Sequence, residues 1–163
     1  MVAALLLLLF PGVNYCQSGT LAPPKALKDV YPDVSRAEED IDAALVRARK
    51  QHKRVLIIFG GNWCYDCHVL DRALHEETAG QIVRASFLLV DVNIGEGNQN
   101  LDVAERYHVP IEKGVPAVAI LKADGSILYS SGNGEFEAAR TMMRKDLVTF
   151  LRRNRGKEVR AKR

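Results

Sequence analysis

Cysteine is scarce in this chain: three residues in 163, at positions 16, 64 and 67. Three thiols cannot staple a small fold, which excludes a disulfide-dense mini-protein. Nor is there an internal repeat, or a low-complexity tract in the body of the chain. With 47% apolar and 26% charged residues, a collagen-like or disordered chain is excluded too. Long hydrophobic runs are lacking. The run Val2–Phe10 has nine residues, and nine residues of helix do not cross a bilayer core of ~30 Å. A second cysteine pair is absent, so a closed four-ligand zinc site has no obvious donor set. The four histidines, His52, His68, His75 and His108, stand singly and are expected on the surface or on helix faces.

What is present suits one globular domain of 18.1 kDa. The net charge of +3 is unevenly spread. Arg152–Arg163 holds seven basic residues and one acidic, leaving sixteen basic and nineteen acidic residues elsewhere, a balance of −3. A basic tail on a mildly acidic body is read as a solvated terminus, so no nucleic-acid partner is expected. Residues 1–24 carry no charge. Their apolar run has the length of a secretory signal, although no Lys or Arg precedes it and no A-x-A site follows. The expectation is an exported protein, periplasmic or secreted. Residues 1–22 would be signal or leader, 23–34 an extended leader, 35–153 the domain and 154–163 a basic tail. Cys16 belongs to the leader, and the bulky Tyr15 before it speaks against a lipid anchor. A monomer with no stable membrane span is expected.

Hydrophobic patterning sets the order of elements. Ser35 and Glu38 have capping-box spacing ahead of Ile41, Ala44, Leu45 and Ala48, which share one helical face. Val55–Phe59 reads as a buried strand ended by Gly60-Gly61, Phe87–Val92 as a second and Val115–Leu121 as a third. Ile127–Tyr129 is a fourth strand, joined to the third through Ala123-Asp124-Gly125 as a hairpin. Helices are expected after Cys64, around Ile82-Val83, over Leu101–Tyr107 and over Lys145–Arg153. Strands alternating with helices imply an α/β fold: a mixed sheet of four strands with a parallel βαβ unit and a C-terminal hairpin, flanked by helices.

The chemical centre is Trp63-Cys64-Tyr65-Asp66-Cys67-His68. Cys64 falls at a helix start, where the dipole and free N–H groups stabilise a thiolate. Cys67, one turn on, shares its face with Leu70 and Leu74. An attacker paired with a sheltered resolving thiol is what thiol–disulfide exchange needs. Other readings compete: a structural disulfide, which would close too small a loop to constrain the unfolded chain much; haem attachment through the C-x-x-C-H pattern; and a metal carrier using Cys64, Cys67 and His68.

Trp-Cys-x-x-Cys after a glycine-terminated apolar strand, followed later by Gly114-Val115-Pro116, resembles the thioredoxin superfamily from Ser35 to Arg153. It is most similar to exported bacterial thioredoxin-like proteins with an Asn-Trp-Cys-x-Asp-Cys motif. The resemblance implies a thioredoxin-like fold and thiol–disulfide exchange with protein clients through a Cys64–Cys67 disulfide. It also implies a cis bond before Pro116, a Val115 backbone that meets the client as an added strand, and Trp63 and Tyr65 beside it. No cofactor and no metal are implied, and the electron donor is unspecified. A redox-silent binding module on the same scaffold is the alternative.

Three departures bear on mechanism. The buried Asp that thioredoxin carries six residues before its first cysteine is Ile58 here. Asp91, the only charge in Phe87–Val92, is the candidate replacement as proton acceptor for Cys67. The Gly-Pro between the cysteines is Tyr65-Asp66. A carboxylate beside the thiols is expected to raise their pKa, which leans the protein towards reduction. Residues 110–113 and 133–143 lengthen two connections and are candidates for shaping the client surface.

Overall fold

The computed structural model describes residues 19–24 and 29–156. The apolar run Val2–Phe10, Cys16 and the end of the basic tail lie outside the described residues.

β1 (Arg54–Gly60) is apolar along nearly its whole length because it lies inside the sheet, with partners on both sides and helices on both faces. It runs parallel to β2 (Phe87–Asn93) and antiparallel to β3 (Ala117–Leu121). β3 pairs in turn with β4 (Ile127–Ser130), so the strand order is β2-β1-β3-β4. The alternation of the strands divides the core in two. Leu56, Ile58, Val118 and Ile120 face one helical layer, and Val55, Ile57, Phe59, Ala119 and Leu121 the other. The chain is thus the mixed α/β sheet that the alternation of elements implies. β3 starts at Ala117 rather than Val115, since Pro116 has no N–H to give to the ladder.

Helix α1 (Ala37–Gln51) buries Ile41, Ala44 and Ala48, and stops where His52 turns left-handed. The Ser35–Glu38 capping box does not form. Asp33 caps a 3-10 turn over Val34–Arg36 instead, its Oδ1 accepting from Ser35 N at 2.9 Å and Ser35 Oγ at 2.7 Å. Glu38 is drawn away by Arg106, whose guanidinium donates to both its carboxylate oxygens at 2.6 and 2.7 Å. The stretch after the cysteines is two helices, α2 (Tyr65–His75) and α3 (Glu77–Ser86), broken at Glu76, which is extended. Two helices follow, α4 (Leu101–Arg106) and α5 (Arg144–Asn154). No helix among the described residues is long and apolar enough to cross a membrane.

The segments before and after the sheet are tied to this frame. Tyr31 and Leu21, from the stretch read as leader, are both buried, and Leu21 N donates to Met142 O at 2.9 Å. The 133–143 connection is anchored by Phe136, which packs edge-on against Tyr129 and Phe150 with ring centroids 6.5 and 5.0 Å away.

Candidate active site

The site forms where β1 ends and α2 begins. Cys64 is the N-cap of α2, and its Sγ accepts from the Cys67 N–H at 3.1 Å. The two sulfurs are joined as a disulfide with a Cα–Cα separation of 5.2 Å, a distance that one helical turn supplies. Burial separates the partners: Cys64 keeps 6% of its surface, Cys67 none. Of the two sulfurs, only that of Cys64 is therefore within reach from outside.

The Val115-Pro116 bond is cis, and the Val115 carbonyl oxygen lies 3.6 Å from Cys64 Sγ. Trp63 is 51% exposed and is fixed by its indole Nε1, which donates to Gly95 O at 2.6 Å. Tyr65 also faces outward. Beyond Trp63 and Val115 an open groove of about 960 Å³ runs along α4, floored in part by Ile94, Ala104 and Val109. Pro110 and Ile111 of the lengthened connection line it.

Two expectations are corrected here. Asp66 does not lie free beside the thiols. It is 5% exposed, and Arg140 holds it with its backbone N–H at 2.7 Å and its guanidinium Nε at 2.9 and 3.1 Å. Arg140 Nη2 completes the fork on Oδ2. Burial alone would raise the Asp66 pKa, but the Arg140 bonds and charge outweigh it, so the carboxyl is held below its ordinary value. His68 is not a surface residue. It is buried, with Nε2 2.8 Å from Asn62 O. Among the described residues no cluster of three or more His, Cys, Asp or Glu is placed to hold a metal.

Asp91 sits one strand away, its backbone in register with Ile58. It is partly buried, on the same side of β2 as Phe87 and Leu89, which pack with the helical layer that holds Cys67. Burial first, then the charge of Asp71, pushes its pKa up to about 7, and His75 partly offsets this. His75 is itself raised to about 9, chiefly by its bond to Asp71 and against burial.

Tyr31 and Asn62 complete the back of the site, and spacing gave neither a role. Asn62 Oδ1 accepts from Val30 N and Tyr31 N, and Asn62 Nδ2 donates to Tyr31 O. The phenol ends against Gly60, where an added Cβ would stand 2.4 Å from Tyr31 Oη and 2.7 Å from Cys67 Sγ. Gly60 is therefore required to let hydroxyl and sulfur share one pocket. Burial first, then Asp91 and Asp71, hold this hydroxyl well above its ordinary pKa, so it stays protonated.

A family model described as thioredoxin-like matches residues 36–123. The chain belongs to the thioredoxin-like family. Among solved structures it is similar to a disulphide isomerase from Xylella fastidiosa Temecula1, at 31% identity and a TM-score of 0.73, over 78% of this chain and 98% of that one. The C-terminal domain of DsbD from Neisseria meningitidis, in its reduced form, shares the fold at 20% identity and a TM-score of 0.53, over 72% and 96% of the two chains. A thioredoxin from Thermus thermophilus does so at 22% and 0.50, over 76% and 83%. No protein of curated function matches the sequence.

Proposed function

We propose that this thioredoxin-like protein is a thiol–disulfide oxidoreductase that reduces disulfides in protein clients. The observation that carries the reading is the unequal pair at the α2 start: Cys64 at the N-cap, reached by solvent beside the Val115 backbone, over a fully enclosed Cys67. In the reduced protein the Cys64 thiolate attacks one sulfur of a client disulfide. A mixed disulfide forms and one client thiolate leaves and takes up a proton. Cys67 then gives its proton to Asp91 and attacks Cys64 Sγ. The Cys64–Cys67 bond forms and the second client thiolate leaves. The client gains two electrons, and a thiol donor restores the pair.

Trp63, Tyr65, Val115 and Pro116 are the proposed client contacts. The exposed rings of Trp63 and Tyr65, and the groove that starts at Trp63 and Val115, support this set. Reduction is favoured as the direction because the Tyr65-Asp66 dipeptide brings no unpaired cation to the thiolate. The work is assigned to an exported compartment, on the strength of the apolar run Val2–Phe10.

Insulin reduction tests the reading. The protein should accelerate dithiothreitol-driven precipitation of the insulin B chain, and Cys64→Ser should abolish the acceleration. No acceleration by the native protein would leave a redox-silent binding module in its place.

A further inference from the structure

Between the cysteines lies a carboxylate that exchange chemistry does not call for. Asp66 occupies the second helical position of α2, next to Cys67 and two residues from Cys64. An ionised group there opposes a second negative charge on Cys64. The structure answers it from a distant part of the chain. Arg140, 74 residues away, places its backbone N–H and a two-pronged guanidinium on Asp66, and the same guanidinium lies 5.3 Å from the centre of the Tyr65 ring. Arg140 is thus bonded to one residue of the dipeptide between the cysteines and stacked on the other.

The placement is built rather than incidental. Ala139, beside Arg140, is fully buried, Phe136 is locked among aromatic rings, and Met142 O accepts from Leu21 N. The backbone at 140 cannot drift from Asp66 without breaking these contacts. The Arg140 side chain remains 60% exposed, so a client crossing the site passes over it.

From this geometry we infer that Arg140 is a positioning residue of the redox pair: by pairing with Asp66 it removes that carboxylate's penalty on the Cys64 thiolate, and so sets the poise of the disulfide. The inference rests on the exchange chemistry proposed above. A low thiolate pKa stabilises the reduced form, so losing the cation makes the pair a stronger reductant and a weaker attacker at neutral pH.

The test is a double-mutant cycle over Arg140→Gln and Asp66→Asn in the full chain, with folding checked by circular dichroism. It reads the Cys64 pKa by thiolate absorbance and the equilibrium constant with glutathione. Arg140→Gln should lower the thiolate fraction below the pKa by about tenfold and move the equilibrium up to about tenfold towards the disulfide, equal to about 30 mV. Asp66→Asn alone should leave both close to their native values, since the pairing has already removed the penalty. In the Asp66→Asn background, Arg140→Gln should have a much smaller effect than it has alone, and Arg140→Lys should retain part of the native value. Equal effects of Arg140→Gln in both backgrounds would overturn the inference, as would a Cys64 pKa indifferent to position 140. Both readouts exist whether or not the protein reduces insulin, so failure here and failure of the proposed function are separable.

Discussion

Asn62 holds both backbone polar groups of Tyr31: the Tyr31 N–H donates to Asn62 Oδ1 at 2.9 Å, and Asn62 Nδ2 donates to the Tyr31 carbonyl at 3.2 Å. The asparagine before Trp63 thereby fastens a segment from before α1 against the rear of the disulfide. The site is closed behind by chain that precedes the helix and sheet, and Cys67 owes part of its enclosure to that strap.

Asn62→Ala removes these bonds and the one from Val30 N. Unfolding stability should fall by about 1–3 kcal/mol, since the backbone groups of Val30 and Tyr31 lose a partner in a half-buried place. Urea denaturation measures this. Hydrogen exchange should quicken at Val30 and Tyr31 while the β1 amides keep their protection.

Gly60→Ala forces a methyl to within 2.4 Å of Tyr31 Oη and 2.7 Å of Cys67 Sγ. One or both must move, at a cost of about 1–3 kcal/mol. The loss should be larger in the disulfide form, where Cys67 cannot turn away. Thermal unfolding of the oxidised and reduced proteins compares the two directly.

How far the sequence disclosed this site depends on the range of each contact. The cysteine pair and the buried strand before it were legible as local patterns of a few residues, although the pair alone left several readings open; the Val115-Pro116 element was legible through the family resemblance. Ser35 does not cap α1 because Asp33 takes both its N–H and its hydroxyl into a 3-10 turn, and the capping-box spacing carries no information about that rival. Asp66 and His68 were misplaced for a different reason. Their burial depends on Arg140 and Asn62, and no periodicity links position 66 with position 140. Tyr31 was invisible as a site residue because a Tyr-Pro pair signals only extended backbone, not what that backbone covers.

The raised pKa of Asp91 makes a two-sided prediction. A carboxyl raised from about 4 to about 7 on folding contributes stability that is complete below its unfolded value and is lost as pH climbs through about 7. Native stability should therefore fall between pH 4.5 and 7, and Asp91→Asn should flatten that fall. Asp71, His75 and Tyr31 are the charged or titrating neighbours, and the loss from His75 lies higher, towards pH 9. As the proposed proton acceptor, Asp91 must be ionised, so client turnover should rise through pH 7. In Asp91→Asn that rise should vanish and turnover should drop by roughly 100-fold. Asp91→Asn with native turnover and an unchanged pH profile would remove Asp91 from the mechanism.

The order of attack is the centre of the account, and trapping tests it most directly. Cys67→Ser, reduced and mixed with a disulfide-containing protein, should accumulate a mixed disulfide that peptide mass spectrometry maps to Cys64. Cys64→Ser should trap almost none, because Cys67 is enclosed by Tyr31, Gly60 and α2. Equal trapping by the two variants, or a client bond mapped to Cys67, would contradict the account.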